Sequence, residues 1–287
     1  MSLDGVYASR LMTALDQDVA PLRFVDLHGY RMAYREWGDA VVAQSVVLIH
    51  GITSSSLSWV RVAPRIASGR RVIAVDLKGH GDSDRPQSGY RLRDQADEVA
   101  GLCRVLDLRE VSLVGHSWGG GIALLLATNG DLAVQKLVLE DPAIGQRQMT
   151  SEQVQTREQR AQGYIDSVGL SREQAEALAR PNLALGWTEQ DVAGKVDAAM
   201  KGSRAAVRAV FTENGPWDLR GRFAEVRCPT LLIRAETARG GIVEEDAVAL
   251  ARGNPLVNVV TIADADHNIH RGRFDAFMAE VEGFLRD

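Results

Sequence analysis

The chain has 287 residues, of which 45% are apolar and 25% charged, and its 33 Lys and Arg against 38 Asp and Glu leave a formal net charge of −5. This composition excludes whole-chain disorder, collagen and coiled coil. A mildly acidic chain also lacks the basic footprint of a nucleic-acid or anionic-membrane binder. Length alone allows one or two domains.

The stretch from Met1 to Ala20 carries Asp4, Arg10, Asp16 and Asp18 and has no apolar core of signal-peptide length. No run of about 18 apolar residues occurs, so no membrane span is expected. The two cysteines, Cys103 in a helical pattern and Cys228 before a strand, form neither a disulfide framework nor a metal motif and are expected as buried thiols. The expectation is a cytoplasmic protein.

Arg23–His28 and Arg31–Arg35 flank a His28-Gly29-Tyr30 hairpin turn. Continuous Val/Ile/Leu runs follow at Val46–His50, Arg71–Asp76, Val111–Gly115, Lys136–Asp141, Thr230–Arg234 and Asn258–Ile262. Such runs suit strands buried on both faces of a parallel sheet. Between them, Leu92, Ala96, Val99, Cys103 and Leu106 keep a helical spacing, Ile122–Ala127 is apolar nearly all round, and Phe274, Met278, Val281 and Leu285 mark a final amphipathic helix. The alternation predicts an α/β doubly wound sheet. From Ala143 to Leu219 no strand pattern occurs. Early glutamines (Gln146, Gln148, Gln153, Gln155, Gln159, Gln162) and helix starts at Ser151, Ser171 and Thr188-x-x-Asp191 make this a helical insertion.

The strongest chemical signal is Gly115-His116-Ser117-Trp118-Gly119-Gly120, set between an apolar strand and an apolar helix. That context suits a nucleophile elbow, in which glycines permit a sharp turn that lifts a serine hydroxyl out of the sheet. A serine needs a base. Of six histidines, His28, His50 and His80 lie in a turn, a strand end and a loop. His116 adjoins the serine but is expected to point away from it, and His270 reads as a solvated or structural neighbour. His267 lies in Asp264-Ala265-Asp266-His267-Asn268, after the last strand and at the sheet edge where open α/β folds bind ligands. Val46–Thr53 ends a strand in His50-Gly51, so the amides of Ile52 and Trp118 are the expected oxyanion hole, the latter favoured also by the helix dipole.

These motifs resemble the α/β-hydrolase superfamily over about residues 20–287: His50-Gly51, Asp76-Leu77-Lys78-Gly79-His80-Gly81-Asp82-Ser83, the Ser117 elbow and Asp266-His267-Asn268. The resemblance implies an eight-stranded, mostly parallel sheet made by residues 1–142 and 220–287, with a helical cap, 143–219, inserted after the sixth strand. It implies structural roles for Asp76 and Asp82. The common acid position, after the strand that follows the cap, falls on Ala238, which cannot orient an imidazole. A second known position lies at the end of the sixth strand, 24 residues after the nucleophile, and falls on Asp141. Glu140 should face the other side of the strand, and Glu236 is offset, so Asp141 comes first with Glu140 and Glu236 as alternatives. As a strand-end carboxylate before Pro142, Asp141 could also simply serve the backbone.

The expected reaction is acyl transfer to water by Ser117, His267 and Asp141, needing no metal or organic cofactor, on a small or medium apolar ester or lactone. Trp187 and Trp217 are candidate aromatic walls. Serine at position 117 argues against the aspartate-nucleophile dehalogenases and epoxide hydrolases of the superfamily. Carbon–carbon bond hydrolysis of a diketone-type substrate, perhydrolysis, and a triad-bearing ligand receptor remain as alternatives, and the oligomeric state is unreadable.

Overall fold

The computed structural model describes residues 19–27, 29–145 and 151–286. The N-terminal reading of residues 1–18, His28, and the glutamines at 146 and 148 lie outside them. The strands are β1 (Leu22–Leu27), β2 (Tyr30–Gly38), β3 (Gln44–Ile49), β4 (Arg71–Val75), β5 (Arg109–His116), β6 (Val134–Glu140), β7 (Thr230–Arg234) and β8 (Val257–Thr261). They form one sheet in the order β1-β2-β4-β3-β5-β6-β7-β8. β2 runs antiparallel to β1 and β4, and the remaining pairs are parallel. β1 and β2 pair as an antiparallel hairpin, and Gly29 between them stands at φ 87, where a side chain would be strained.

The helices are α1 (Val62–Ile66), α2 (Leu92–Val105), α3 (Trp118–Asn129), α4 (Ser151–Asp166), α5 (Arg172–Ala179), α6 (Glu189–Lys201), α7 (Arg204–Asn214), α8 (Glu245–Arg252), α9 (Ile269–Gly272) and α10 (Phe274–Arg286). Alternate strand residues bury into opposite layers. Val47, Ile49, Leu113 and Leu139 pack with α2 and α3, while Val46, Leu48, Val114 and Val138 pack with Trp59, α1 and α10. Burial on both faces explains why these strands read as unbroken apolar runs. Cys103 and Cys228 are buried free thiols.

Helices α4 to α7 all lie between β6 and β7. Ser171 caps α5 with Gln174, and Thr188 caps α6 with Asp191, each in a reciprocal capping box. This stretch is fastened to the sheet-forming part by polar contacts. Arg61 pairs with Asp191 at 2.7 Å, Lys201 pairs with Asp82 at 2.9 Å, and Glu213 accepts from the Gly89 and Tyr90 amides. No helix of the described residues is long and apolar enough to cross a membrane.

Candidate active site

The chain order reverses at β3, whose neighbours β4 and β5 take the connections to opposite sides. The carboxyl ends of β3 and β5 therefore flank a crevice, the usual ligand position in such sheets. β3 delivers Ile52 to it and β5 delivers Ser117. Ser117 stands at φ 52 and ψ −116, between the end of β5 and the first turn of α3. The elbow is held by the Ser117 amide donating to the Glu140 carbonyl at 3.0 Å and by the Ser117 carbonyl accepting from Ala143 at 2.8 Å. Gly119 permits the tight approach of α3 to β3, since a Cβ there would overlap the Ile49 carbonyl.

Asp141 follows β6 and is fully buried, at φ 37. Its Oδ2 accepts from His267 Nδ1 at 2.6 Å and from the Ile242 amide at 3.0 Å, and Oδ1 accepts from Ala235 at 3.4 Å. The carboxylate thus serves the backbone and the histidine together. A proton held on Nδ1 by this contact leaves Nε2 as the basic nitrogen of His267. Ser117 and His267 line one cavity of about 440 Å³, without a direct hydrogen bond between them. Catalytic hydrogen bonds often tighten only in the substrate complex. Ile52 lines the same cavity, and the Trp118 amide opens α3, where the first N–H groups of a helix have no partner within it.

The alternative acids are engaged elsewhere. Glu236 pairs with Arg239 at 3.2 Å, and Ala238 lies in an exposed turn. Glu140 points to the other side of β6, where it accepts from the His270 amide at 2.8 Å and from His270 Nδ1 at 2.8 Å. Burial pushes the Glu140 carboxyl up and the His270 imidazole down. His270 is therefore a buried structural group and not a solvated one. His116 departs from expectation. It does not turn away but packs on the His267 ring at 4.8 Å and donates from Nε2 to the His267 carbonyl at 2.9 Å. The expectation rested on the tight turn at 117 and took no account of the His267 loop that folds onto His116.

The polar atoms of His116, Glu140 and His270 lie within 4.8 Å of one another. The hydrogen bonds just described engage Glu140, His116 Nε2 and His270 Nδ1, while His270 Nε2 is buried without a partner among the described residues, so the cluster reads as a support beneath His267. Glu140→Ala should leave two His270 donors unpaired in the core and lower the unfolding free energy by about 3 kcal/mol. Urea unfolding measures this, and an unchanged midpoint would show that the pair contributes nothing.

Other sequence motifs have structural employment. Asp76 accepts from the Ser56 and Asp82 amides at 2.6 and 2.9 Å, and His50 Nε2 accepts from the Leu77 amide at 3.0 Å. His80 is buried with Nδ1 2.9 Å from the Lys78 carbonyl. Trp187 does line the cavity. Trp217 instead packs edge-on against Trp118 and donates to the Ala143 carbonyl at 2.9 Å.

Sequence reasoning missed the cations of the cavity: Arg160 on α4, Lys195 on α6 and Arg271 on α9. Lys195 Nζ donates to the Thr53 carbonyl at 3.0 Å and to Thr53 Oγ1 at 3.1 Å. Thr53, at φ 60, directly follows Ile52. Arg271 is buried, donates to Ser54 Oγ at 3.2 Å and lies 4.4 Å over the Trp187 ring.

A model of the alpha/beta hydrolase fold family matches residues 44–271, and the chain belongs to that family. N-formylmaleamate deformylase of Pseudomonas putida is 27% identical over 271 residues, covering 91% of this chain and 95% of its own. 2-(Acetamidomethylene)succinate hydrolase of Mesorhizobium japonicum is 27% identical over 270 residues, covering 92% and 94%. A higher identity, 42% over 125 residues, joins the chain to an uncharacterized protein of Mycobacterium tuberculosis, but that match spans only 36% of the relative's length and 43% of this chain. Among solved structures, an E-2-(acetamidomethylene)succinate hydrolase superposes with a TM-score of 0.79 at 24% identity, covering 93% of this chain and 99% of its own, a likeness of fold.

Proposed function

We propose that the protein hydrolyses a small acyl compound, an ester or lactone, through an acyl-enzyme on Ser117. The observation that carries this reading is the 2.6 Å contact between His267 Nδ1 and the buried Asp141 carboxylate, beside a serine on a strained elbow in the same cavity. Ser117 Oγ attacks the carbonyl carbon as His267 Nε2 takes its proton. Asp141 holds the imidazole tautomer and stabilises the imidazolium. The Ile52 and Trp118 amides receive the developing oxyanion. His267 then protonates the leaving group, and water enters by the reverse steps to release the acid and restore Ser117.

Residues 143–219 act as a cap in this reading, since Tyr164, Leu178 and Lys195 from that stretch wall the cavity against Ser117. The two relatives matched over nearly the whole chain bear the names of N-formylmaleamate and 2-(acetamidomethylene)succinate, which widens the acyl class to N-acyl compounds.

A fluorophosphonate probe tests the nucleophile without a known substrate. It should add one phosphonyl group, on the peptide containing Ser117. His267→Ala should slow that labelling by at least about 10³-fold, given the non-additive losses seen when a catalytic base is removed. A label on another serine would overturn the assignment.

A further inference from the structure

From the cavity's charges we infer that the substrate carries a carboxylate, separate from its scissile acyl group, and that Lys195 and Arg271 bind it. The inference rests on the acyl-serine reading and adds the substrate class. Lys195, half-buried, and Arg271, buried, both line the cavity, and neither has a carboxylate within salt-bridge distance among the described residues. The nearby acid Asp191 is committed to Arg61 at 2.7 Å and to its own capping box. Lys195 spends two of its three N–H groups on Thr53. Arg271 spends one on Ser54, and its buried Nε has no partner. Asp191, Glu140 and Asp266 offset the Arg271 charge only from beyond ion-pair distance, so two neighbouring cations removed from bulk water with no direct partner are costly, and a bound anion lowers that cost. Arg160, also lining the cavity, adds to the positive field, and no Asp or Glu lines it among the described residues. An apolar, uncharged substrate, the expectation from the sequence, leaves these donors unanswered.

Burial and the neighbouring Arg271 lower the Lys195 ammonium to about 7. The other titratable or charged groups around it are His50 and His80, both held low by burial, with Arg160 and His267 across the cavity. Lys195 is charged below this value and neutral above it, so an anionic substrate should bind best on the acid side.

The test compares p-nitrophenyl hemiglutarate with its neutral isostere, p-nitrophenyl methyl glutarate. The wild type should favour the acid ester by about 100-fold in kcat/KM, chiefly through KM, as expected for charge-assisted hydrogen bonds. Lys195→Met should cut that preference by at least about tenfold, and Lys195→Arg should keep it. The ratio of the two esters, in which pH effects common to both cancel, should fall as pH rises through about 7 in the wild type and stay flat in Lys195→Arg. Equal turnover of both esters by the wild type overturns the inference. So does an equal loss on both in Lys195→Met, which would make Lys195 a clamp on Thr53 alone. Retained turnover of both esters in Ser117→Ala overturns instead the reading beneath it.

Discussion

Ser117→Ala should lose about 10⁶ in kcat on p-nitrophenyl esters, the scale seen when a serine nucleophile is removed. The remaining machinery cannot supply a covalent step. His267 and the two amides could still assist water directly, leaving on the order of 10³-fold over the uncatalysed reaction. The variant should fold normally, because the elbow is held by backbone contacts to Glu140 and Ala143 and not by the hydroxyl. Its thermal midpoint should stay within a few degrees of the wild type, which separates chemical loss from unfolding. Stopped-flow release of p-nitrophenol provides the rate, and full retained activity would remove Ser117 from the mechanism.

Asp141→Asn should lose about 10⁴ in kcat, the cost when an orienting aspartate becomes an amide. The site explains why an amide is a poor replacement. Both carboxylate oxygens accept backbone N–H groups, from Ala235 and Ile242, while Oδ2 also accepts from His267. An asparagine must turn its NH₂ toward one of these donors, and in either pose it lacks the charge that steadies the imidazolium. Glu236→Gln, altering an exposed pair with Arg239, should change kcat by less than about twofold, as surface ion pairs contribute little. A collapse at Glu236→Gln with an unchanged Asp141→Asn would move the acid.

Much of the architecture was legible in the residues because doubly buried strands leave unbroken runs of Val, Ile and Leu, and the six strands β3 to β8 lie within about two residues of those runs, while β1 and β2 were marked by their hairpin turn. Asp141 was reachable through its spacing from Ser117 and through Ala238, whose methyl rules out the commoner acid position. The cavity's cations were not legible. Lys195 sits on an amphipathic helix where a lysine reads as a solvated face, and Arg271 follows His270 in what reads as an ordinary helix start. Only the folding of α6 over the β3 loop brings them together, a convergence of chain-distant positions with no local pattern. The support of His267 by His116 was hidden for a related reason. The loop that carries His267 onto His116 lies 151 residues away in the chain.

The backbone at Ser117 sets this protein's durability against its purpose. A non-glycine residue at φ 52 and ψ −116 carries a strain of about 1–3 kcal/mol, within a total stability that is typically only about 5–15 kcal/mol. Glycine would relax that angle, and alanine would not. Laboratory evolution of this gene under heat alone, with no demand for turnover, would therefore be drawn toward glycine at position 117, hardening the fold as it discards the proposed nucleophile. A thermostability campaign should hold that codon fixed and seek its gains in the exposed turns and helix caps instead.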